Sequence, residues 1–422
     1  MRHGGVQNRP GSIFVCEVKD SSKQTVLIPF IFNSSQTYML EFGDQYLRVI
    51  KSGAQVLDST KNITGITAAN PPVVTSTSHG FSNGDEVYIS GVSGMAEING
   101  RNYKIANVAA NTFELQDLAG TNIDASAFTA YTSGGTAGRV YTVSTPYVEA
   151  DLTTLKYAQS GDVIVIAHPN YAPRELSRTG DASWSLSTIT FAPSISAPTG
   201  ESASQSGTTG STSYNWKITA VKSETYEESL PSGAANITNG NATISSTNFV
   251  TVSWSAVTGA VQYNIYQEVN GVYGFIGIAD GTSFKVIGQT PDVTDTPPIT
   301  RNPFNATGDY PSTVNYFQQR LCFANSDNNP ETVWLGKAGQ YHNFTISAPL
   351  QDDDAVTFTI AGRQVNEVHH LLDLGTLLLL TAGGEWTAQG DANGAVSPGS
   401  INLKQYGYNG SSEVIPLVIG NN

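Results

Sequence analysis

Charge is scarce in this sequence. Asp, Glu, Lys and Arg make up 13% of its 422 residues, about half the roughly 25% of an ordinary globular chain. The balance is acidic: 21 basic against 35 acidic residues, for a formal net charge of −14. Cysteine is almost missing, with only Cys16 and Cys322, which excludes a disulfide framework. No CxxC pair or Cys/His cluster proposes a zinc site, and both cysteines read as buried thiols. No uncharged run approaches the roughly 20 apolar residues that cross a bilayer as a helix, so no membrane insertion is expected. The opening MRHGGVQNRPGS has no apolar core behind its charges, so it is not a secretory signal, and the chain is expected to be made and kept inside a cell. The Asn-x-Ser/Thr triplets, such as those at Asn236 and Asn343, then have no support as glycosylation sites. Disorder is excluded too, because a chain 39% hydrophobic and 9% aromatic can bury a core. At about 150 residues per domain, the length suggests roughly three domains.

What is present is strand. Apolar residues alternate with polar ones, or form short β-branched runs, between Gly, Pro, Asn and Asp breaks spaced every 8 to 12 or so residues. Thr25-Val26-Leu27-Ile28, Val163-Ile164-Val165-Ile166, Thr251-Val252-Ser253-Trp254 and Leu377-Leu378-Leu379-Leu380 are examples. The fold class is therefore all-β. One stretch reads as a helix, Glu149 to Gln159, where Asp151 is placed to cap and Leu152, Leu155 and Ala158 recur at helical spacing. Three segments share a design of apolar strand, polar turn and aromatic-bearing strand: Val163 to Trp184, Leu321 to Trp334 and Leu377 to Trp386. Repetition of such a unit is the logic of a β-propeller, and generic antiparallel hairpins explain the same spacing equally well.

Composition divides the chain into blocks 1–61, 62–144, 145–195, 196–300 and 301–422, of which 62–144 has the spacing of a small β-barrel; the resemblances given below imply a propeller-like body (1–61, 145–195 and 301–422) into which that barrel and a β-sandwich (196–300) are inserted. Turns are expected at Asn33-Ser34-Ser35 and Phe42-Gly43-Asp44 in the first part, and at Asn83-Gly84-Asp85 and Asn99-Gly100 in the barrel. A Pro, Ser and Gly-rich linker, APSISAPTGESASQSGTTGS, leads into the sandwich, and Thr296-Pro297-Pro298 closes it.

Motifs for chemistry are few. No GxSxG elbow, HExxH pair or Gly-rich nucleotide loop occurs. Asp352-Asp353-Asp354 suits a turn that bonds local amides better than a calcium site. Asn325 to Pro330 is a turn first and a cation site second. His369 and His370 are strand neighbours and point to opposite faces, which prevents them from chelating one ion. His3, His79, His168 and His342 sit in different blocks. Arg174 and Arg178 suit carboxylates or a partner surface better than phosphate. No catalytic, cofactor-binding or metal-binding residue is assigned, no cofactor is expected, and the chain is expected not to be an enzyme.

Three segments resemble two known modules. VTVSWSAVTGAVQYNIYQEVNGVYGFIG is similar to the core of a fibronectin type III sandwich, with Trp254 and Tyr263 inward, Tyr266 closing the same face, and Tyr273 and Phe275 sharing a face that suits a partner. YNWKITAVKSETYEESLPS resembles a later strand pair of that fold yet comes first, so either the sandwich is permuted or two partial copies have merged. HGFSNGDEVYISGVSGMAEINGRNYKI is similar to the small β-barrel of ubiquitin-activating enzymes called the first catalytic cysteine half-domain. Having no cysteine, the segment carries no ubiquitin chemistry.

Four further blocks occur in the order of another family. They begin at Arg9-Pro10-Gly11, Leu152-Thr153-Thr154, Tyr310-Pro311-Ser312 and Pro349-Leu350-Gln351. Together they resemble the tail nozzle, or tail tubular protein B, of short-tailed bacteriophages (podoviruses). That resemblance implies a homo-hexameric ring below the portal and head-tail adaptor, a propeller with inserted domains, and double-stranded DNA in transient passage. Tail fibres or other tail proteins are implied neighbours, and the location is the virion's short tail after synthesis in the host bacterial cytoplasm. Family members extend beyond both ends of this sequence, so a fragment and a shortened form are both open. The competing class is a virion-surface adhesion protein that contacts host polysaccharide or tail fibres. An envelope-degrading enzyme has only scattered carboxylates such as Glu97 and Asp124 behind it.

Overall fold

The protein is seen in a computed structural model that describes residues 11–33, 36–362 and 365–418. His3, the Ser34-Ser35 turn and most of the Arg9-Pro10-Gly11 motif lie outside the described residues. Strands hold 46% of the chain and helix 2%, so the all-β class holds. Two compact units form. One comprises the residues through Leu155 with Gln159–Ile164 and Glu175–Ser187; the other comprises Lys156–Ala158, Val165–Arg174 and the residues from Thr188 onward.

The first unit begins with a sheet whose strands run in the order Val26–Asn33, Gln36–Gly43, Tyr46–Lys51 and Thr142–Ser144, with Ala54–Gln55 also paired to the third. Alternation sets its faces: Ile28 and Phe30 point inward, Leu27 and Ile31 outward. The turn expected at Phe42-Gly43-Asp44 falls at Asp44 and Gln45, with Gln45 at φ 61°. Trp184 packs edge-on against Phe30 and Tyr38 of this sheet, at 4.8 and 5.5 Å between ring centroids. Thr142–Ser144 pairs antiparallel with residues 46 to 48, so the chain leaves this sheet after Gln55 and comes back to it.

Between departure and return lies a seven-stranded sheet: Leu57–Asn62, Ser133–Val140, Glu86–Ser93, Arg101–Ala106, Thr112–Gln116, Val73–Thr75 and Gly65–Ile66 in spatial order. It closes on Val74, Val87, Ile89, Met95, Phe113 and Leu115, all buried. A closed barrel was expected here, and the ladder is open: no pairing joins its first and last strands among the described residues. Those two strands are consecutive in the chain, separated only by Ile63 and Thr64, so a covalent bend takes the place of the missing ladder. Gly84 and Gly100 take positive φ in the turns where the sequence placed them.

A four-stranded sheet follows in chain order, Lys156–Ser160, Val163–His168, Tyr171–Gly180 and Ser183–Thr188. The expected helix from Glu149 to Gln159 is instead a six-residue 3-10 helix, Glu149–Thr154, and then the first of these strands. Its N-cap is Val148, which makes no side-chain cap bond, and Asp151 sits three residues past that position, inside the helix. Leu152 within this short helix and Leu155 at its C-cap are buried, and from Lys156 onward strand pairing claims the backbone.

In the second unit, a three-stranded sheet (Ser202–Gln205, Val250–Ser253, Ser283–Val286) faces a four-stranded one (Ala235–Gly240, Thr212–Lys222, Ala260–Val269, Val272–Ala279) across a core holding Trp216, Trp254, Tyr263 and Ile265. The YNWKITAV strand pairs with the strand that follows Trp254, so the two segments belong to one sandwich, not to two merged copies. The expected linker is partly structure: Ser202–Gln205 pairs with Val250–Ser253, because a ladder needs backbone partners more than apolar side chains. Tyr266 does not share the face of Tyr263. Three positions separate the two, and alternation sends Tyr266 to the opposite face, against Phe275 at 5.9 Å.

Two more four-stranded sheets complete the unit, each with successive strands as neighbours: Thr313–Phe317, Arg320–Ala324, Thr332–Leu335, Val356–Thr359, then Val368–Asp373, Leu377–Thr381, Gly384–Gln389, Asn402–Gly407. They share one core, in which Cys322, Leu335 and Val356 meet Leu371, Leu377 and Leu379. Trp334 and Trp386 both sit on third strands; Trp184 sits on a fourth. Phe191, ahead of the sandwich, and Phe304, after it, meet at 5.1 Å, and both touch Phe323 and Phe344.

Candidate functional site

The densest polar constellation lies in the first unit. Glu41 and Arg48 face each other across adjacent strands, and both are completely buried. Arg48 holds Glu41 bidentately, at 2.9 and 2.7 Å from Nη2 and 3.2 Å from Nε, and its Nη1 reaches Glu86 Oε1 of the seven-stranded sheet at 2.6 Å. Nη2 also donates to the Glu17 carbonyl at 2.6 Å. Tyr46 donates its hydroxyl to Glu41 at 2.7 Å. Gly43 makes that possible: a Cβ there would lie 2.2 Å from the Tyr46 ring, so only glycine lets the ring fold over the turn.

Charge balance on this network is incomplete. Glu86 Oε1 accepts from Arg48 and from Asn102 Nδ2 at 2.8 Å, while Oε2 is buried and has no partner. Burial pushes the Glu86 carboxyl above the usual range, against the pull of Arg48. Burial and the Glu41 carboxylate likewise raise the Tyr46 phenol.

Beside the network opens a cleft of about 440 Å³, lined by Lys19, Lys23, Asp44, Tyr46, Glu86 and Lys104 among others. Lys23 and Asp44 form an ion pair, which raises the lysine and lowers the acid. Lys19 Nζ stands 5.1 Å above the Tyr46 ring. A second cavity of about 460 Å³ is lined by Phe14, Cys16, Gln55, Arg101 and Tyr103. Cys322 is buried as expected, whereas Cys16 is only partly covered; burial raises both thiols, so neither is poised as a thiolate.

Residues singled out in the sequence scatter into structural roles. Asp354 is buried and accepts from the Ser347 and Gln351 amides, both at 2.8 Å, and from Lys337 at 3.1 Å; Asp352 and Asp353 are exposed. Carbonyls of all three wrap the buried Arg320 guanidinium. In the 325–330 turn, Ser326 Oγ accepts the Asn329 amide. Arg178 holds Asp162 at 2.8 Å and lies 4.4 Å from the Phe32 ring centroid, while the Arg174 Nε is buried without a partner. Glu97 accepts from Thr129, and Asp124 from the Ser126 amide, which lowers both carboxyls. Phe275 is tied by its backbone to Asp292 and Asp295, and Tyr273 lies under Lys217 at 4.7 Å.

His79 packs between Phe81 and Phe113, apart from the other histidines. His369 and His370 lie where the strand register shifts, between residues 368 and 370, with their ring centroids 6.4 Å apart. Both rings reach one segment, His369 Nδ1 to the Ser411 carbonyl at 2.9 Å and His370 Nε2 to that of Ser412 at 2.8 Å. Glu413 is shared between His369 at 3.1 Å and Lys156 at 3.2 Å. Among the described residues no group of three or more His, Cys, Asp or Glu is placed to hold a metal ion.

Residues 69–140 match the family model of the ubiquitin-activating enzyme E1 FCCH domain. That span covers most of the seven-stranded sheet, including Glu86, Asn102 and Lys104 of the network and cleft. Neither cysteine of the chain falls within the FCCH-like span. Among solved structures, the chain is similar to one titled "Phage phi92 endosialidase", with 12% identity over 95% of this chain and 60% of that one, at a TM-score of 0.18. A likeness that slight assigns nothing to this chain. No curated protein matches. Among the described residues no helix is long and apolar enough to cross a membrane.

Proposed function

We propose that this chain is a structural subunit of the tail nozzle of a short-tailed phage, a homo-hexameric ring beneath the portal and adaptor through which DNA is retained and then ejected. The observation that carries the reading is the interrupted body. A first sheet is left after Gln55 and rejoined at Thr142, and three later sheets each repeat the same four-strand, up-and-down plan. Such sheets are the units from which propellers are built. The four blocks that resemble the nozzle family fall on this body, and the FCCH-like sheet and the sandwich fall between them. Phe191 and Phe304 pin the chain where it enters and leaves the sandwich, as an insertion requires. The domain limits at residues 61, 144, 195 and 300 belong to this proposal.

The chain's role here is assembly, with neither catalysis nor a cofactor. Ring contacts come from the subunit's own surfaces together with the adaptor and fibre proteins. Gold-coupled antibody against the sandwich, applied to intact virions, tests the placement. Label at the short tail is the expected result; label on the capsid, or on free protein alone, overturns it. Incubation with host polysaccharide tests the non-catalytic role, which chain shortening would refute.

A further inference from the structure

At one end of the last four-stranded sheet, a cavity of about 520 Å³ opens beside the turn between its second and third strands, its last strand and the residues that lead into its first. Every described residue on its wall is uncharged. Asn366 supplies the polar part. It is 8% exposed, its side-chain amide bonds to no described residue, and neither Oδ1 nor Nδ2 is sealed from solvent, so the surface it shows lies in the cavity. An unmade carboxamide at that depth is costly, and a ligand offering a donor and an acceptor together relieves the cost. Gly383 makes room for it, since a Cβ there would stand 2.4 Å from Asn366 Oδ1. On the same wall, Gln405 donates from Nε2 to the Gly407 carbonyl at 3.2 Å, which leaves its Oε1 to accept. The apolar part is aromatic. Trp386 is partly exposed although its indole N–H is sealed, so the surface it offers is its carbon framework. Tyr408, 85% exposed, stands at the rim. Aromatic walls with a few placed polar groups are the make-up of a small-molecule site.

We propose that this cavity binds a neutral sugar ring, stacked on Trp386 and Tyr408, with neighbouring hydroxyls bonded to the side-chain amides of Asn366 and Gln405. A pyranose has both characters that the wall asks for: a C–H face that lies flat on an aromatic ring, and a rim of hydroxyls that each donate and accept. An ionised sugar finds no counter-charge among the described residues of the wall, and a purely apolar ligand leaves the Asn366 amide unmade. The inference does not depend on the nozzle reading, since it rests on side chains of the last sheet and of the segment before it, and either can fail without the other.

The test is saturation-transfer NMR on the full chain, with methyl glucoside and methyl galactoside at millimolar concentration as probes and glucuronic acid, cyclohexanol and N-acetylprolinamide as comparisons. Transfer to at least one of the two glycosides is expected, strongest at the C–H protons of one ring face. Asn366→Ala removes the buried amide and Tyr408→Ala the exposed ring, and each is expected to weaken the bound glycoside by about three- to tenfold, the scale of one lost contact. Gly383→Ala, which drives a methyl into Asn366 Oδ1, is expected to weaken it as well. Tyr408 is exposed, so its variant keeps the test valid if Asn366→Ala or Gly383→Ala fails to fold. No transfer to either glycoside, equal binding of cyclohexanol or N-acetylprolinamide, tighter binding of glucuronic acid, or unchanged binding in Tyr408→Ala or in a folded Asn366→Ala overturns the proposal.

Discussion

Replacing Arg48 with leucine tests how the first sheet and the FCCH-like sheet are joined. The guanidinium is completely buried and serves two carboxylates, Glu41 bidentately and Glu86 through Nη1. Leucine fills part of the space and leaves both acids in a low-dielectric interior, with only Tyr46 and Asn102 still donating to them. Removing one partner of a buried ion pair costs about 3–5 kcal/mol, because the remaining charge is uncompensated. A loss of that size accelerates amide exchange through opening by roughly two to four orders of magnitude. Hydrogen-exchange mass spectrometry on Gln36–Gly43, Tyr46–Lys51 and Glu86–Ser93 reads it directly, with the sandwich strands as an internal control. The pH dependence has a definite sign. Burial already raises the Glu86 carboxyl, and without Arg48 it rises further, so the folded variant holds protons that the unfolded chain releases. Stability of the variant is therefore lost as pH rises through the folded-state value and recovered on acidification. A second variant, with Glu41 and Glu86 also changed to leucine, regains most of the loss. Protection within about 1 kcal/mol of the parent at neutral pH refutes the reasoning, since that is the scale of an exposed pair.

Other outcomes follow from the same structure. Trp254→Ala removes an indole that is 5% exposed in the sandwich core, and is expected to cost about 3–5 kcal/mol in a denaturant melt of that region. Gly43→Ala drives a methyl into the Tyr46 ring, breaks the bond to Glu41, and is expected to raise exchange at Tyr46–Lys51 while the last two sheets stay unchanged. His370 is held below its usual value chiefly by burial, so the unfolded chain binds its proton more readily. Its contribution to stability is present above the unfolded value of about 6.5 and fades as pH falls through it. Proteolysis of the 411–416 segment is therefore expected to be faster at acid pH, and less pH-dependent in His370→Gln. For DNA, the net charge of −14 predicts no appreciable equilibrium affinity near physiological salt. Submicromolar binding of a labelled duplex by fluorescence anisotropy, weakening with salt, contradicts that.

Period-2 alternation exposed the strands because it is local: each run of Val163 to Ile166 or Leu377 to Leu380 carries its own signal. Trp254 and Tyr263 were legible as core for the same reason, while the displaced YNWKITAV strand left a permuted sandwich and two merged copies equally open. The buried network was not legible. Arg48 and Glu86 lie 38 residues apart on different sheets, and nothing near either names the other. The only local hint was a charged residue inside each of two apolar strands, Glu41 in YMLEFG and Arg48 in YLRVI. Glu41, one residue before the Phe42-Gly43-Asp44 turn, is sealed inside that pair, whereas Asp44 at the turn is partly exposed. The helix over 149–159 failed because three apolar residues at helical spacing cannot outweigh a sheet that takes up Lys156–Ser160.

A reconstruction of the tail from intact virions tests the central proposal most directly. The account predicts a six-fold ring below the adaptor, one copy of this chain per asymmetric unit, with its four-stranded sheets around a through-going channel and the sandwich and FCCH-like sheet as separate lobes. A chain found instead in a three-fold fibre, or in no closed ring at all, contradicts it.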